Sequence, residues 1–297
     1  MTGTLRYCGR DFSASEMEIV RALAASLPTR RAIADALCDE LGWLRVDGRR
    51  KDMSARVALL RMADDGLVGL PAPRNANNRN GRIPRHEEAP AELPLAISTP
   101  LRDLGQLELV VVATAAEKRR WRSLVATYHY LGYVPFAGAQ IRYLVETGAG
   151  TVAALGFASS AWKCAPRDTH IGWDASTRQA RLHLVVGNAR FLILPHVKVA
   201  NLASAILGSA ARRLQSDWVA TYGYRPVLLE TFVETDRFDG TSYRAANWLH
   251  VGRTQGRGKL DTRHERALPV KDVYLYLGLL LLPWVEFGIF GPEASSW

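Results

Sequence analysis

The chain has 297 residues, 48% of them hydrophobic and 23% charged, which is the composition of an ordinary globular protein and leaves room for two domains. Its formal net charge of +9 comes far more from arginine than from lysine and favours a polyanionic partner, most often nucleic acid. The three scattered cysteines, Cys8, Cys38 and Cys164, argue against a secreted disulfide scaffold and against a structural zinc site.

Three short helices are predicted within residues 1–70. They are expected over residues 15–27, 30–40 and 52–65, and a short wing strand is expected over residues 67–70. Ser15 and Thr29 are the candidate N-caps of the first two helices. This order of elements is typical of a helix-turn-helix module or a winged variant of it.

Basic side chains gather at the front of the third predicted helix, where a recognition helix meets phosphates and bases. They are Arg49, Arg50, Lys51 and Arg56. Guanidinium groups pair bidentately with phosphate, so we expect these residues to contact DNA. The alternative is a small packing module whose arginines are merely solvated.

A linker and a second domain follow the helical module. Residues 71–100 are rich in Pro, Asn and Arg and predict an exposed, flexible linker. In residues 101–297, strands are predicted over 107–113, 140–146, 151–158, 190–195, 227–232, 248–251 and 273–276, and helices over 117–130, 201–218 and part of 236–246. Strands mixed with helices in this way predict a mixed α/β sheet.

The apolar run over residues 273–290 is nearly long enough to cross a membrane. Pro283 and Glu286 interrupt it, and both would be costly in the middle of a bilayer. We therefore expect a buried strand and an irregular apolar tail, and no membrane partner. The first ten residues lack the apolar region of a signal peptide, so we expect a cytoplasmic protein.

Two carboxylates are candidates for catalysis. Glu230 ends a predicted buried strand, which is a frequent catalytic position in α/β sheets. Asp168 lies in a segment predicted as a loop, in which Asp168, His170 and Asp174 are spaced so that they could hold a divalent metal. Glu230 could equally be the partner of an arginine, and the aspartates could be a helix cap and a solvated side chain. No metal ligand is therefore assigned.

A polar segment after Glu230 supplies further candidates. Tyr243, Arg244 and Asn247 are predicted to share one helical face. Tyr243 could act as an acid or stack on a ring, and Asn247 could read a base or orient a substrate amide.

The glycine-rich stretch over residues 252–258 could let its backbone approach a phosphate. Arg253 and Arg257 would pair with that phosphate, and Arg190 adds to a basic rim. The stretch has no Walker lysine or serine, so nucleotide hydrolysis is not implied.

Several segments between residues 120 and 276 form a recognisable set. They include YLGY at 130–133, GAQIRYLV at 138–145, NARFLILP at 188–195, LETFV at 229–233 and GTSYRAANW at 240–248. Together they resemble the Druantia protein DruA family, whose members also occur with transposases. The resemblance implies a role in anti-phage defence or in a mobile element. The apolar ending of this chain departs from the family pattern.

The strand and helix order is also similar to that of GNAT acyltransferases. Residues 190–195 would be the central strand, residues 201–218 the following helix, and residues 243–252 the closing element. The glycine-rich pyrophosphate loop of that fold is missing, because residues 196–201 contain no glycine. No cofactor is therefore assigned.

Three functions remain open at the level of sequence. The leading one is a DNA-directed protein that modifies a base by group transfer, and the alternatives are a metal-dependent nuclease or nickase and a non-catalytic DNA-recognition subunit that recruits a helicase or transposase. In an enzyme, Glu230 or Asp168 would be the base or a metal ligand and Tyr243 the acid. Asn247 would orient the substrate, and Arg257 would anchor a phosphate.

Overall fold

The computed structural model describes residues 4–73, 95–256 and 268–277. The chain divides into two compact units, Met1–Arg82 and Ile83–Trp297, and each is described by itself. Among the described residues, no helix is both long and apolar enough to cross a membrane. Residues 74–94 of the predicted linker and the apolar tail after Leu277 lie outside the described residues.

The first unit contains a small hairpin and three helices. Its elements are β1 (Leu5–Tyr7), β2 (Arg10–Phe12), α1 (Ala14–Ser26), α2 (Arg30–Glu40) and α3 (Asp52–Asp64). The helices bury one shared core that includes Phe12, Ile33, Leu37 and Leu59, each at most 1% exposed. The three predicted helices are therefore present. The hairpin that precedes them was not predicted.

Two details of the first unit differ from the predictions. The cap of α1 is Ser13 and not Ser15, because Ser13 and Glu16 satisfy each other's backbone N–H groups in a capping box. The predicted wing strand over residues 67–70 is wrong: these residues pair with no strand, and Val68 packs into the helical core instead. A single antiparallel bridge, between Leu44 and Arg50, lies between α2 and α3.

The second unit is built on a seven-stranded mixed sheet, as predicted. Its strands are β3 (Glu108–Val111), β4 (Gln140–Thr147), β5 (Gly150–Ser159), β6 (Val185–Ile193), β7 (Leu228–Glu234), β8 (Leu249–Arg253) and β9 (Lys271–Leu277). They lie in the order β3-β4-β5-β6-β7-β9-β8. All neighbours are antiparallel except β6 and β7, which are parallel.

Within the described residues, five helices accompany this sheet. They are α4 (Ala115–Tyr128), α5 (Ala165–His170), α6 (Ala175–Arg181), α7 (Leu202–Tyr222) and α8 (Thr241–Ala245). The long α7 makes the crossover that a parallel strand pair requires and buries Ile206, Leu214 and Trp218 in the sheet core. The segments predicted as a strand over residues 190–195, a helix over 201–218 and a closing element over 243–252 thus correspond to β6, α7 and α8 with β8.

The segment around Asp168 was predicted as a loop, and this prediction is wrong. It forms α5 and α6, which have only six and seven residues and therefore show no helical periodicity. Pro166 lies in the first turn of α5, and Asp174 caps α6 by accepting a hydrogen bond from the Thr177 N–H at 2.7 Å.

The parallel strands β6 and β7 pair over only part of their length. Pairing runs from Val185 with Leu228 to Asn188 with Thr231 and then stops. Beyond that point β6 continues to pair with β5, and β7 with β9. The two central strands therefore diverge, and a cleft opens between them at their carboxyl ends.

Candidate functional site

The cleft between β6 and β7 has a volume of about 590 Å³, which is within the usual range for small-molecule sites. Its walls come from β6, β7, the start of α7, the end of α4 and the segment that leads into α8. The lining residues include His129, Tyr130, Asn188, Thr231, Arg237, Phe238, Gly240 and Tyr243. A crevice at the carboxyl ends of parallel strands is a frequent ligand site in α/β proteins.

The floor of the cleft is a chain of three hydrogen-bonded side chains. Thr231 Oγ1 donates to the Tyr243 hydroxyl at 3.3 Å, and that hydroxyl donates to Asn188 Oδ1 at 2.7 Å. Asn188 Nδ2 in turn donates to the carbonyl of Arg190 at 3.3 Å. Asn188 and Thr231 are the last paired residues of β6 and β7, so the floor lies where the strands separate.

Tyr243 is held in place by rings on several sides. It stacks on Tyr274 with ring centroids 5.9 Å apart and meets Phe191 and Trp248 edge-on. Burial raises the pKa of Tyr243 far above its usual value, so the hydroxyl keeps its proton at neutral pH. The hydroxyl has one proton, which it donates to Asn188 Oδ1, so a group bound at the floor of the cleft would have to replace Asn188 as the acceptor of that proton.

Gly240 explains why the segment before α8 can approach the sheet so closely. Its φ of +68° lies in the left-handed region, and a Cβ at this position would come within 2.6 Å of Tyr274 Cζ. Only glycine satisfies both the backbone conformation and the close contact.

The rim of the cleft carries an uncharged histidine. Burial, together with the smaller effect of the positive charge of Arg190, lowers the pKa of His129 to about 4. His129 Nδ1 accepts a hydrogen bond from the Leu131 N–H at 3.1 Å, so the ring proton of this lining residue is on Nε2.

Glu230 and Asp168 do not share a face of the sheet with Tyr243. Glu230 and Thr231 are consecutive on β7, so their side chains point to opposite faces. Thr231 faces the cleft floor, whereas Glu230 is fully buried on the other face. The predicted single site is thus divided by the sheet into a cleft and a buried charge cluster.

The buried charge cluster is centred on Arg167, whose side chain is also fully buried. Arg167 Nη1 lies 2.8 Å from Glu230 Oε2, and Arg167 Nη2 lies 2.7 Å from Asp168 Oδ1. Arg178 binds the other oxygen of Asp168 at 3.2 Å, and the Ala161 N–H donates to Glu230 at 2.9 Å. The cluster ties α5 and α6 to β7.

The pKa shifts within this cluster follow from its burial. Burial raises the pKa of Glu230, and the charge of Arg167 opposes that rise. Burial acts to lower the pKa of Arg167, but Glu230 and Asp168 outweigh it and raise this pKa. Because every charge here already has a partner, the geometry accounts for Glu230 and Asp168 as structural residues.

Asp168, His170 and Asp174 do not gather into a metal site. Asp168 is held by two arginines, Asp174 caps α6, and the side chain of His170 is exposed. Among residues 4–73, 95–256 and 268–277, no three or more His, Cys, Asp or Glu side chains are grouped to hold a metal ion.

The other predicted residues of the second unit lie elsewhere. Asn247 comes after the end of α8, exposed and in the left-handed conformation that asparagine tolerates, so it is not on the helical face of Tyr243. Arg190 is half-buried and donates to the carbonyls of Gly132 and Ala189. Arg253 is exposed and binds Asp272 at 2.8 Å. Arg257 lies outside the described residues.

The four basic residues predicted to contact DNA are all on the surface of the first unit, though two of them are already paired. Arg50 forms a bidentate pair with Asp39 at 2.6 Å, and Arg56 pairs with Asp52. Within the described part of the chain, the side chains of Arg49 and Lys51 form no ion pair. These two are therefore the cations of this group that are available to a phosphate.

Sequence reasoning missed several residues of the cleft and of the charge cluster. Arg167 had no role assigned, although its neighbour Asp168 did. Asn188 was expected only beside Arg190 at a basic rim, and Thr231, His129, Tyr130 and Phe238 had no predicted role. Nothing in their spacing indicated a site, because four separate elements bring them together.

The fold and the cleft define a mixed α/β protein with a ligand-sized crevice between two diverging parallel strands. A sequence model of the family described as "Druantia protein DruA" matches residues 64–268, so the chain belongs to that family. A search of curated proteins by sequence finds no match.

Solved structures similar to this chain include several acyltransferases. A spermidine N-acetyltransferase SpeG chimera from Vibrio cholerae and hSSAT is 12% identical, with a TM-score of 0.39, over 59% of this chain and 96% of that one. FeeM, an N-acyl amino acid synthase from uncultured soil microbes, is 12% identical, with a TM-score of 0.37, over 58% and 90%. The polyamine N-acetyltransferase of Drosophila melanogaster is 10% identical, with a TM-score of 0.37, over 57% and 100%.

Proposed function

We propose that this protein is a group-transfer enzyme of GNAT-like construction that modifies a base of DNA in anti-phage defence. The observation that carries the proposal is the cleft between β6 and β7, with the protonated Tyr243 hydroxyl at its floor. The family membership supports the defence role, and the net charge of +9 supports a nucleic-acid substrate.

The proposed step needs few groups from the protein. A nitrogen of the nucleobase forms a bond to the transferred group while the bond between that group and its carrier breaks. The carrier leaves with the bonding electron pair and takes a proton from the Tyr243 hydroxyl. The nitrogen releases its own proton to solvent, from which Tyr243 is reprotonated. Tyr243 is thus the general acid of the proposed mechanism.

The described residues do not favour a carrier that is held through a pyrophosphate. Residues 196–201 have no glycine that would let consecutive N–H groups surround a pyrophosphate, and Asn201 makes no side-chain cap at the start of α7. The first experiment is therefore carried out in living cells, which supply the carrier of the transferred group.

The test is to express the full chain in bacteria, isolate their DNA and analyse its nucleosides by mass spectrometry. We expect one nucleoside with added mass, which is lost in the Tyr243→Phe variant and kept in the Asn247→Ala variant. DNA without any altered nucleoside would contradict the proposal. Magnesium-dependent nicks made by the purified protein, without any altered nucleoside, would point to the nuclease alternative.

A further inference from the structure

The mouth of the cleft carries aromatic rings that face solvent. His129 stacks on Tyr130 with centroids 4.9 Å apart and planes inclined by 23°, and Tyr130 meets Phe238 at 5.3 Å. Tyr130 is 37% exposed and Phe238 is 48% exposed, although both line the cleft. Rings of this size are usually more deeply buried, so a cluster of them at a cleft mouth marks a binding surface. His129, Tyr130 and Phe238 are called the ring platform below.

A guanidinium group completes the ring platform. The Arg237 guanidinium carbon lies 4.8 Å from the centre of the Tyr130 ring, and this side chain is exposed. Arginine on an aromatic face can keep its hydrogen-bond donors free for a phosphate while its plane stays parallel to nearby rings. Flat rings next to a free cation match a ligand that is both planar and anionic.

Hydrogen-bond donors and acceptors both line the same cleft. Asp239 offers an acceptor, Ser242 offers a hydroxyl, and His129 offers its Nε2–H. The edge of a nucleobase presents donors and acceptors side by side, so it can be read by such a set. An aliphatic or purely anionic ligand would leave either the rings or the acceptor unused.

We propose that the ring platform receives an unpaired nucleobase of DNA and passes its edge towards Tyr243. This inference rests on the proposed function and names its substrate as a base that has left the double helix. A base inside a duplex is covered on both faces by its neighbours, so enzymes that act on base atoms use single strands or extruded bases. The volume of about 590 Å³ is sufficient for one base with its sugar.

The test measures binding without any group donor. Oligonucleotides that carry 2-aminopurine, a base whose fluorescence falls when it stacks, are titrated with the full chain as single strands, as matched duplexes and as duplexes with one unpaired 2-aminopurine. We expect the fluorescence to fall on binding to the single strand and to the unpaired base. We also expect at least tenfold weaker binding to the matched duplex.

Variants then separate the ring platform from general charge attraction. Tyr130→Ala and Phe238→Ala should each weaken binding of the unpaired base by about tenfold, because one stacked ring contributes roughly 1–3 kcal/mol. Tyr130→Phe keeps the ring and should stay within about twofold of the wild type by the same reasoning. Trp162→Ala is the matched control, since Trp162 is 54% exposed and has Arg178 over its ring but does not line the cleft. Circular dichroism checks that each variant is folded.

Three results would overturn the ring platform. They are unchanged affinity and quenching in both alanine variants, equal binding of matched duplex and single strand, and at least tenfold preference for RNA of the same sequence. The proposed function fails separately: quenching without any modified nucleoside in cells would reject group transfer and keep the ring platform. DNA modification that survives Tyr130→Ala and Phe238→Ala would reject the ring platform and keep group transfer.

Discussion

Glu230 is the residue whose surroundings most restrict its role. It is fully buried, and its carboxylate oxygens bind the Arg167 guanidinium and the Ala161 N–H. A buried charge that loses its partner is strongly destabilising, because the remaining charge stays away from water.

The substitution Glu230→Gln should therefore lower the free energy of unfolding by about 3 kcal/mol, since it breaks a buried ion pair from one side. The matched control is Asp103→Asn, which breaks the exposed pair of Arg102 and Asp103 in the same unit. An exposed pair contributes less than about 1 kcal/mol. Urea denaturation of both variants measures the difference. Wild-type stability together with lost DNA modification in Glu230→Gln would make Glu230 a catalytic residue instead.

His129 gives the molecule a predictable response to pH. Its folded-state pKa of about 4 lies below the usual value of 6.5, so the unfolded chain binds the proton more readily. Stability from this group is complete above pH 6.5 and is lost as the pH falls towards 4.

The wild type should lose roughly 1–3 kcal/mol more stability between pH 7 and pH 4.5 than the variant His129→Asn, whose amide oxygen can still accept the Leu131 N–H. The control His170→Asn changes an exposed histidine and should keep the wild-type response. Denaturation curves at several pH values provide the measurement. Parallel pH profiles of wild type and His129→Asn would show that His129 is protonated as easily in the folded chain as in the unfolded one.

At the scale of elements, capping decides where α1 begins. Ser13 and Glu16 form reciprocal hydrogen bonds, whereas Ser15 lies inside the helix and only contacts the Ser13 hydroxyl at 3.0 Å. The two serines are thus a natural pair for comparison.

Ser13→Ala should destabilise the first unit by about 1 kcal/mol, and Ser15→Ala by less than about 0.5 kcal/mol, because only Ser13 satisfies an N–H group of the first turn. Far-ultraviolet circular dichroism during urea unfolding follows both. A larger loss of stability in Ser15→Ala than in Ser13→Ala would show that Ser15 is the N-cap, as the sequence predicts.

The elements also show how far sequence reasoning reaches. The helix α2 could be predicted with its Thr29 cap, and α7 through its apolar spacing, because long periodic segments carry their own signal. The short helices α5 and α6 carry no such periodic signal. Glu230 and Tyr243 were assigned to one site because they are close in sequence. Their separation depends on strand alternation and on partners such as Arg167 and Asn188, which are far away along the chain.

At the scale of the whole molecule, net charge is the property that bears most on DNA. The chain has 38 Lys and Arg against 29 Asp and Glu, and in the first unit Arg50 and Arg56 are already paired with aspartates. Arg49 and Lys51 are exposed and form no ion pair with the described residues, so they are the better candidates for phosphate contacts.

We expect Arg49→Ala and Lys51→Ala each to weaken DNA binding for all sequences alike and to reduce the slope of log affinity against log salt by about 1. Arg50→Ala should change the slope less, because Asp39 already neutralises that guanidinium. Fluorescence anisotropy at several salt concentrations measures the slopes. If the salt slopes of all three variants are the same, the first unit does not contribute these phosphate contacts to DNA binding.

The alternation of Glu230 and Thr231 along β7 also limits how this gene can change in length. Loss or gain of a single codon within the strand would turn the carboxylate into the cleft and the hydroxyl into the cluster around Arg167. The buried charge cluster and the cleft would then be disrupted together, because Arg167 would lose its counter-charge and a carboxylate would replace the neutral hydroxyl at the cleft floor. A change of two codons would keep each side chain on its own face but move it by about 7 Å along the strand, away from its partner.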